Sequence, residues 1–166
     1  MSNVNNAMAQ GATLQVELTR QFDAPVARVF KAWHDSVDVK RWWQPDGFTT
    51  PVANMNFKEG GKSLLCMRSP DGQDMYNTWT YSKIVPNERI EFVLNFSDKD
   101  GKAFDPAQVG LAGIPKDVRH VITFKSLGAN KSEITVTEYG YTSPEVVEMS
   151  KAGLIQCINK MAAIVQ

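Results

Sequence analysis

The feature that most constrains the fold is a long segment, residues 48–141, in which no helical periodicity is present. Its sequence consists of short runs rich in Val, Ile, Thr and aromatic residues, separated by turn signals such as KEGGK, PDGQD, PNE and GANK. Runs of this kind joined by tight turns are typical of an antiparallel meander. With the alternating LQVELTRQF at residues 14–22, the pattern predicts a sheet of about seven strands.

Two short helices are predicted directly after the first strand. The segments DAPVARVFKAW and VDVKRWW carry apolar residues at helical spacing. Asp23 is expected to cap the first helix, and Asp35 or Ser36 is expected to cap the second. The second helix must end before Pro45, because the residue preceding a proline avoids helical geometry.

A long amphipathic helix of about 22 residues is predicted at the C-terminus. Thr142 and Glu145 match a capping box, and Pro144 suits the first turn of a helix. Gly153 lies in the middle of this helix, where glycine costs about 1 kcal/mol relative to alanine. A glycine at this position would permit a bend or a close approach.

The predicted elements imply an α+β architecture. An antiparallel sheet with one apolar face needs a cover, and the terminal helix is the only predicted element long enough to supply it. We therefore expect a single domain at residues 13–166, in which a curved sheet wraps around the C-terminal helix, preceded by a disordered tail at residues 1–12. The concave space between sheet and helix is where a small apolar molecule is expected to bind.

Charge and cysteine content narrow the class of protein. Eighteen basic and eighteen acidic residues cancel, which argues against nucleic acid as the main partner. No apolar run approaches the length of a membrane span, and the N-terminus lacks the features of a signal peptide. Cys66 and Cys157 are expected to be free thiols, and neither His34 nor His120 has a partner at metal-ligand spacing. These features predict a cytoplasmic protein without a metal or other cofactor.

Residues 98–117 form a long segment that glycines and prolines interrupt. Loops of this length without regular structure are uncommon and tend to be functional. The apolar side chains of Phe104, Val109, Leu111 and Ile114 are unusual for a fully solvated loop. We therefore expect a flap that covers a pocket.

Alternation along the strands selects the side chains that face the predicted cavity. His120 shares a face with Ile122, which makes it a candidate for orienting a ligand or acting as a base among apolar neighbours. Core packing is the alternative role for the aromatic residues of the same face. Including three residues of the helix, the predicted pocket residues are Trp79, Tyr81, Phe92, Phe96, His120, Ile122, Leu154, Ile158 and Met161.

The segment RWWQPDGF contains two of the four tryptophans of the chain. Neighbours on a helix point about 100° apart, so Trp42 and Trp43 are expected to have different surroundings. Trp43 lies one turn after Val39, which favours Trp43 as the buried residue at the rim of the cavity. Trp42 lies one turn after Asp38 and is expected to point outward.

The segments FDAPVARVFKAW, RWWQPDGFTTP and IVPNERIEF closely resemble the family of activator of heat-shock protein 90 ATPase homologue-like proteins. This family belongs to the START and Bet v 1-like (SRPBCC) superfamily, and the resemblance covers about residues 14–165. It implies the helix-grip fold, a curved antiparallel sheet around a long C-terminal helix with a cavity between them. Relatives bind lipids, polyketides or other apolar molecules, and a few branches catalyse cyclisations or hydrolyses.

The chain departs from the family pattern at three places. Leu154 follows Gly153 where the family usually has a tryptophan, and Trp79 stands where the family often has glycine. Gln44 precedes Pro45 where Gly-Pro is usual. These exchanges are expected to reshape the cavity.

Three functions are compatible with the sequence. The first is binding of a small, largely apolar molecule in the internal cavity. The second is a stress-related, co-chaperone-like module that contacts a protein partner through an exposed apolar patch. The third is an enzyme acting on a hydrophobic substrate, with His120 and either Glu138 or Tyr139 as the acid–base residues.

Overall fold

A computed structural model of the chain describes residues 13–166. The predicted disordered tail at residues 1–12 lies outside the described residues. The described part contains one seven-stranded antiparallel sheet with the order β1-β7-β6-β5-β4-β3-β2, which confirms the predicted meander. The strands are β1 (Leu14–Phe22), β2 (Thr49–Asn54), β3 (Lys62–Arg68), β4 (Asp74–Val85), β5 (Arg89–Ser97), β6 (Val118–Gly128) and β7 (Lys131–Tyr141).

Three α-helices accompany the sheet, at the places that the sequence predicts: α1 (Val26–Ala32), α2 (Ser36–Trp42) and α3 (Pro144–Val165). Asp35 caps α2 as expected, because its side chain accepts a hydrogen bond from the backbone N–H of Asp38.

The other two predicted helix caps are wrong. Pro25 precedes α1 without any side-chain cap, so Asp23 has no capping role. The hydroxyl of Ser143, rather than that of Thr142, accepts from the N–H of Val146 at the start of α3. The backbone N–H of Thr142 instead donates a hydrogen bond to the carbonyl of Gly113, in the loop before β6. The helix therefore begins one residue later than a cap at Thr142 would require.

The long helix α3 packs against the concave face of the curved sheet and covers its apolar side chains. Its buried side chains include Leu154, Ile158 and Met161, which confirms the orientation of the predicted stripe. This arrangement is the helix-grip fold that the sequence predicts. No helix among residues 13–166 has the length and apolarity needed to cross a membrane.

The prediction that Trp42 points outward is wrong. Trp42 is completely buried, its indole N–H donates a 2.7 Å hydrogen bond to the carbonyl of Ala32, and its ring packs edge-on against Trp33 at 4.7 Å. Trp43 is also buried, as expected, and meets Trp79 of β4 at 5.0 Å. Both can be buried because Trp43 leaves helical geometry, with φ −77° and ψ 65°, and therefore turns to the sheet while Trp42 faces α1.

A candidate ligand cavity beside a buried carboxylate

A row of three side chains crosses the inner face of the sheet. Phe92 of β5 is the direct partner of His120 in β6, and His120 is the direct partner of Glu138 in β7. The rings of Phe92 and His120 stack at 4.6 Å, and Phe92 stacks in turn on Trp79 at 4.5 Å. The row therefore runs from a packed aromatic group to a buried carboxylate.

The position of the ring hydrogen of His120 follows from its neighbours. His120 Nδ1 lies 3.0 Å from the carbonyl oxygen of Val118, which only accepts, so Nδ1 carries a hydrogen. The other ring nitrogen, Nε2, lies 3.7 Å from Oε2 of Glu138. With its hydrogen at Nδ1, a neutral ring turns the lone pair of Nε2 toward the Glu138 carboxyl group, and the 3.7 Å separation is beyond hydrogen-bond distance.

Glu138 has a second buried partner. The hydroxyl of Tyr141 donates a 2.7 Å hydrogen bond to Oε1 of Glu138. Burial raises the pKa of Tyr141 well above its ordinary value, and the nearby Glu138 charge raises it further. Tyr141 therefore stays a neutral hydrogen-bond donor at any pH near neutrality.

A cavity of about 340 Å³, which we call the helix cavity, opens between the first half of α3 and the sheet. Glu138 and Tyr141 form part of its wall, while His120 lies behind them. The remainder is mostly apolar and includes three methionines, whose flexible side chains suit a wall that adapts to its contents. The complete lining is Trp43, Pro45, Phe48, Met67, Met75, Leu111, Ile114, Glu138, Tyr141, Met149, Ser150, Gly153, Leu154 and Cys157.

A second cavity of about 390 Å³, which we call the strand cavity, lies beside β4 and β5. Met75 and Leu111 line both cavities, so the two spaces adjoin at these side chains. Phe96, Phe104 and Val109 provide further apolar surface. The two cavities thus meet beneath the loop at residues 98–117.

The loop at residues 98–117 contacts the start of α3 closely at Gly113. Gly113 has a φ of +97°, and a Cβ at this position would lie 2.8 Å from Cβ of Ser143 and 2.9 Å from Cγ2 of Val146. The carbonyl of Gly113 also accepts a 3.0 Å hydrogen bond from the N–H of Thr142. Only glycine combines this backbone conformation with so close an approach. The loop therefore holds Leu111 and Ile114 over the helix cavity.

The predicted pocket residues fall into two groups. Leu154 and the rim residue Trp43 line the helix cavity, and Phe96 lines the strand cavity. The rest are almost completely buried in the core and line neither of these two cavities; they are Trp79, Tyr81, Phe92, His120, Ile122, Ile158 and Met161. A ligand contact by these seven side chains stays a prediction.

Several wall residues were not selected from the sequence. Met67, Met75 and Met149 come from two strands and the helix, and no local pattern brings them together. The sequence indicates Glu138 only as an acid–base partner of His120, although its alternation with Ile134 and Val136 along the strand is a signal that it faces inward. Among residues 13–166, no group of three or more His, Cys, Asp or Glu side chains is placed to hold a metal ion.

Comparison with models of known families identifies the family of this chain. The family model described as "Activator of Hsp90 ATPase homolog 1-like protein" matches residues 23–166, which is most of the chain. The chain belongs to this family. The resemblance that the sequence motifs indicate is thereby confirmed. No curated protein sequence matches this family member significantly.

Solved structures of other proteins have the same fold as this chain. A Chromobacterium violaceum protein is 25% identical with a TM-score of 0.76, and the match covers 91% of this chain and 96% of that one. An Arthrobacter aurescens protein is also 25% identical with a TM-score of 0.75, covering 92% and 86%. A Silicibacter pomeroyi protein of the same family name is 16% identical with a TM-score of 0.73, covering 90% and 96%.

Proposed function

We propose that the protein binds a small, largely apolar molecule in the helix cavity. The supporting observation is the cavity itself, a space of about 340 Å³ with a wall dominated by apolar side chains around a single carboxylate. Spaces of about 300–1,000 Å³ with this kind of lining are typical of small-molecule sites. The helix-grip fold adds support, because proteins with this family fold often bind hydrophobic ligands.

The mouth of the cavity is suited to entry of an apolar molecule. Met149 of α3 is 58% exposed and Met75 of β4 is 39% exposed, although both belong to the apolar wall. Exposed large apolar residues at the edge of a concave site are typical of binding surfaces. A ligand that enters here would cover these methionines and remove apolar area from water.

Mass spectrometry of the protein purified under native conditions tests the proposal. We expect a co-purifying apolar molecule, or saturable binding of a neutral solvatochromic dye by the emptied protein. A protein that carries no such molecule and binds no member of a dye and lipid panel would contradict the proposed function.

The pair of His120 and Glu138 supports a second candidate, an enzyme acting on a hydrophobic substrate. His120 Nε2 lies 3.7 Å from Oε2 of Glu138, and Glu138 lines the cavity, so a substrate bound there would lie beside an acid–base pair. Tyr139 is not part of this arrangement, since its ring lies under the guanidinium of Arg119 at 5.1 Å. Hydrolysis of apolar esters by the wild type, lost in Glu138→Gln, would support catalysis; no turnover by the wild type would count against it.

A co-chaperone-like interaction in the cytoplasm is the remaining possibility that the sequence raised. It stays a prediction, and a pull-down that depends on Met149 and Met75 would be its first support. Binding of a small molecule accounts more directly for a recessed wall than a flat protein contact does.

A further inference from the structure

We infer that the ligand of the helix cavity carries a hydrogen-bond donor, an amine or a hydroxyl, as its polar end, and that this group binds the carboxylate of Glu138. The inference rests on the proposed function and specifies the chemical class of the ligand. The carboxylate is the one charged side chain among the residues that line this cavity.

The hydrogen bonds of Glu138 leave it able to accept more. A carboxylate has about four acceptor positions, and the Tyr141 hydroxyl occupies one of them on Oε1. His120 Nε2 approaches Oε2 at 3.7 Å, which is beyond hydrogen-bond distance. Acceptor capacity therefore remains on a side chain that lines the cavity and is itself more than nine-tenths buried.

The charges of the wall disfavour an anionic ligand. None of the fourteen lining residues of the helix cavity is Lys, Arg or His. The adjoining strand cavity is lined by Asp74 and Asp98 and likewise includes none of these three basic residue types. Asp74 is paired with Arg68 at 2.7 Å, but the guanidinium is not part of the lining. A fatty-acid carboxylate would therefore be desolvated next to Glu138 without a cation in the wall to compensate it.

The methionines of the wall are suited to pack against the apolar body of the ligand. Met67, Met75 and Met149 place adaptable apolar surface in the same wall as Glu138. An apolar body of variable shape can pack there while the donor group reaches the carboxylate. An alkyl or aromatic amine, or the matching alcohol, has the required combination of groups.

Competition between three ligands of equal chain length tests the inference. Decylamine, 1-decanol and decanoate would each displace a bound neutral dye, Nile red, from the wild-type protein. Because a hydrogen bond to a charged group contributes about 1.5–3 kcal/mol, we expect decylamine to bind at least about tenfold tighter than decanoate, with decanol between them.

The Glu138→Gln variant tests the residue. The new amide can still accept from Tyr141 and can donate to His120 Nε2, so the fold is expected to tolerate it. We expect the ratio of decylamine affinity to decanoate affinity to fall about tenfold. Glu133→Gln is the matched control, because Glu133 lies on the same strand but its carboxylate accepts from Gln21 at the surface. The ratio of decylamine affinity to decanoate affinity in Glu133→Gln should equal the ratio in the wild type.

The outcomes separate this inference from the proposed function. Nile red binding with equal affinity for all three ligands, or a ratio that Glu138→Gln leaves unchanged, overturns the inference while the binding function stands. Failure of Nile red and of every ligand to bind overturns both. If Glu138→Gln does not fold, the wild-type ranking decides alone, and tighter binding of decanoate than of decylamine overturns the inference.

Discussion

His120 Nε2 lies 3.7 Å from Oε2 of Glu138, and the two residues are direct partners across strands β6 and β7. Both are almost completely buried, yet Glu138 also lines a cavity whose wall is otherwise mostly apolar. The pair thus links a core position to the wall of the helix cavity. This relationship places the polar centre of the proposed site on rigid sheet backbone rather than on a loop.

The tautomer of His120 is the first prediction. Because Nδ1 donates to the carbonyl of Val118, the ring should carry a hydrogen at Nδ1 in every protonation state of the folded protein. Long-range 1H–15N correlation spectra of the native protein report which ring nitrogen is protonated. A neutral ring with its hydrogen on Nε2 alone would contradict the arrangement.

Removal of the Tyr141 hydroxyl should destabilise the fold. Tyr141→Phe deletes the 2.7 Å donor to the buried Glu138 carboxylate, and hydrogen bonds to charged groups contribute about 1.5–3 kcal/mol. We expect the free energy of unfolding in urea to fall by about this amount. Tyr139→Phe is the control, since the Tyr139 ring keeps its contact with Arg119 without the hydroxyl. Equal losses of unfolding free energy in the two variants would contradict a specific contribution of the buried hydrogen bond.

Arg28 should act as a clamp between all three helices. Its guanidinium donates to both carboxylate oxygens of Asp38 in α2, at 2.7 and 3.2 Å, and to the carbonyl of Ile164 at the end of α3. Asp38→Asn leaves this part-buried cation without its counter-ion, so we expect a loss of about 1–3 kcal/mol in urea unfolding.

The exposed pair of Arg68 and Asp74 is the matched control for the clamp. It has the same 2.7 Å separation, but both side chains are substantially exposed. Exposed ion pairs are screened by water and contribute little to stability, so Asp74→Asn should change the unfolding free energy less than Asp38→Asn does. The opposite order would contradict the role of Arg28.

The stability of the fold should fall in alkaline solution. Burial raises the pKa of Cys157 from 9.0 to about 12 and the pKa of Tyr81 from 10.0 to about 12. The unfolded chain loses these protons at lower pH than the folded chain, so their stabilising effect is complete below about pH 9 and is lost as pH rises toward 12. Urea midpoints measured between pH 8 and pH 11 should decrease, and Tyr81→Phe should decrease less steeply. A midpoint that stays constant to pH 11 would contradict both pKa shifts.

Much of the fold could be predicted because its signals are local. Turn residues such as PDGQD and PNE separate the strands, and the stripe of α3 contains its own period. The outward prediction for Trp42 failed because it takes Asp38, one turn earlier, to mark an exposed face, whereas Asp38 is buried and paired with Arg28. The wrong cap at Thr142 has a similar origin, in a backbone contact with Gly113 that is distant in sequence.

The cavity wall could not be derived in the same way. Met67, Met75 and Met149 meet only after the sheet has curved around α3, and Leu111 joins them because Gly113 fastens the loop. The pairing of His120 with Glu138 depends on the register of β6 and β7, which shifts near the turn between Ser126 and Gly128. A one-residue slip would turn Glu138 to the outer face, so sequence alternation alone does not fix this contact.

Filling the helix cavity from α3 is the most direct test of the central claim. Gly153 lines the cavity, and a Cβ added there meets no atom within 4 Å, so the Gly153→Phe side chain has room to enter the space. Ala152→Phe places the same side chain on the exposed side of the same helix and serves as the control.

The measurement is a titration of the folded proteins with Nile red. The account predicts saturable binding by the wild type and by Ala152→Phe, and at least about tenfold weaker binding by Gly153→Phe, because the ring competes for the same apolar surface. Absence of saturable binding to the wild type, or equal affinity in all three proteins, would contradict the claim that this cavity binds an apolar molecule.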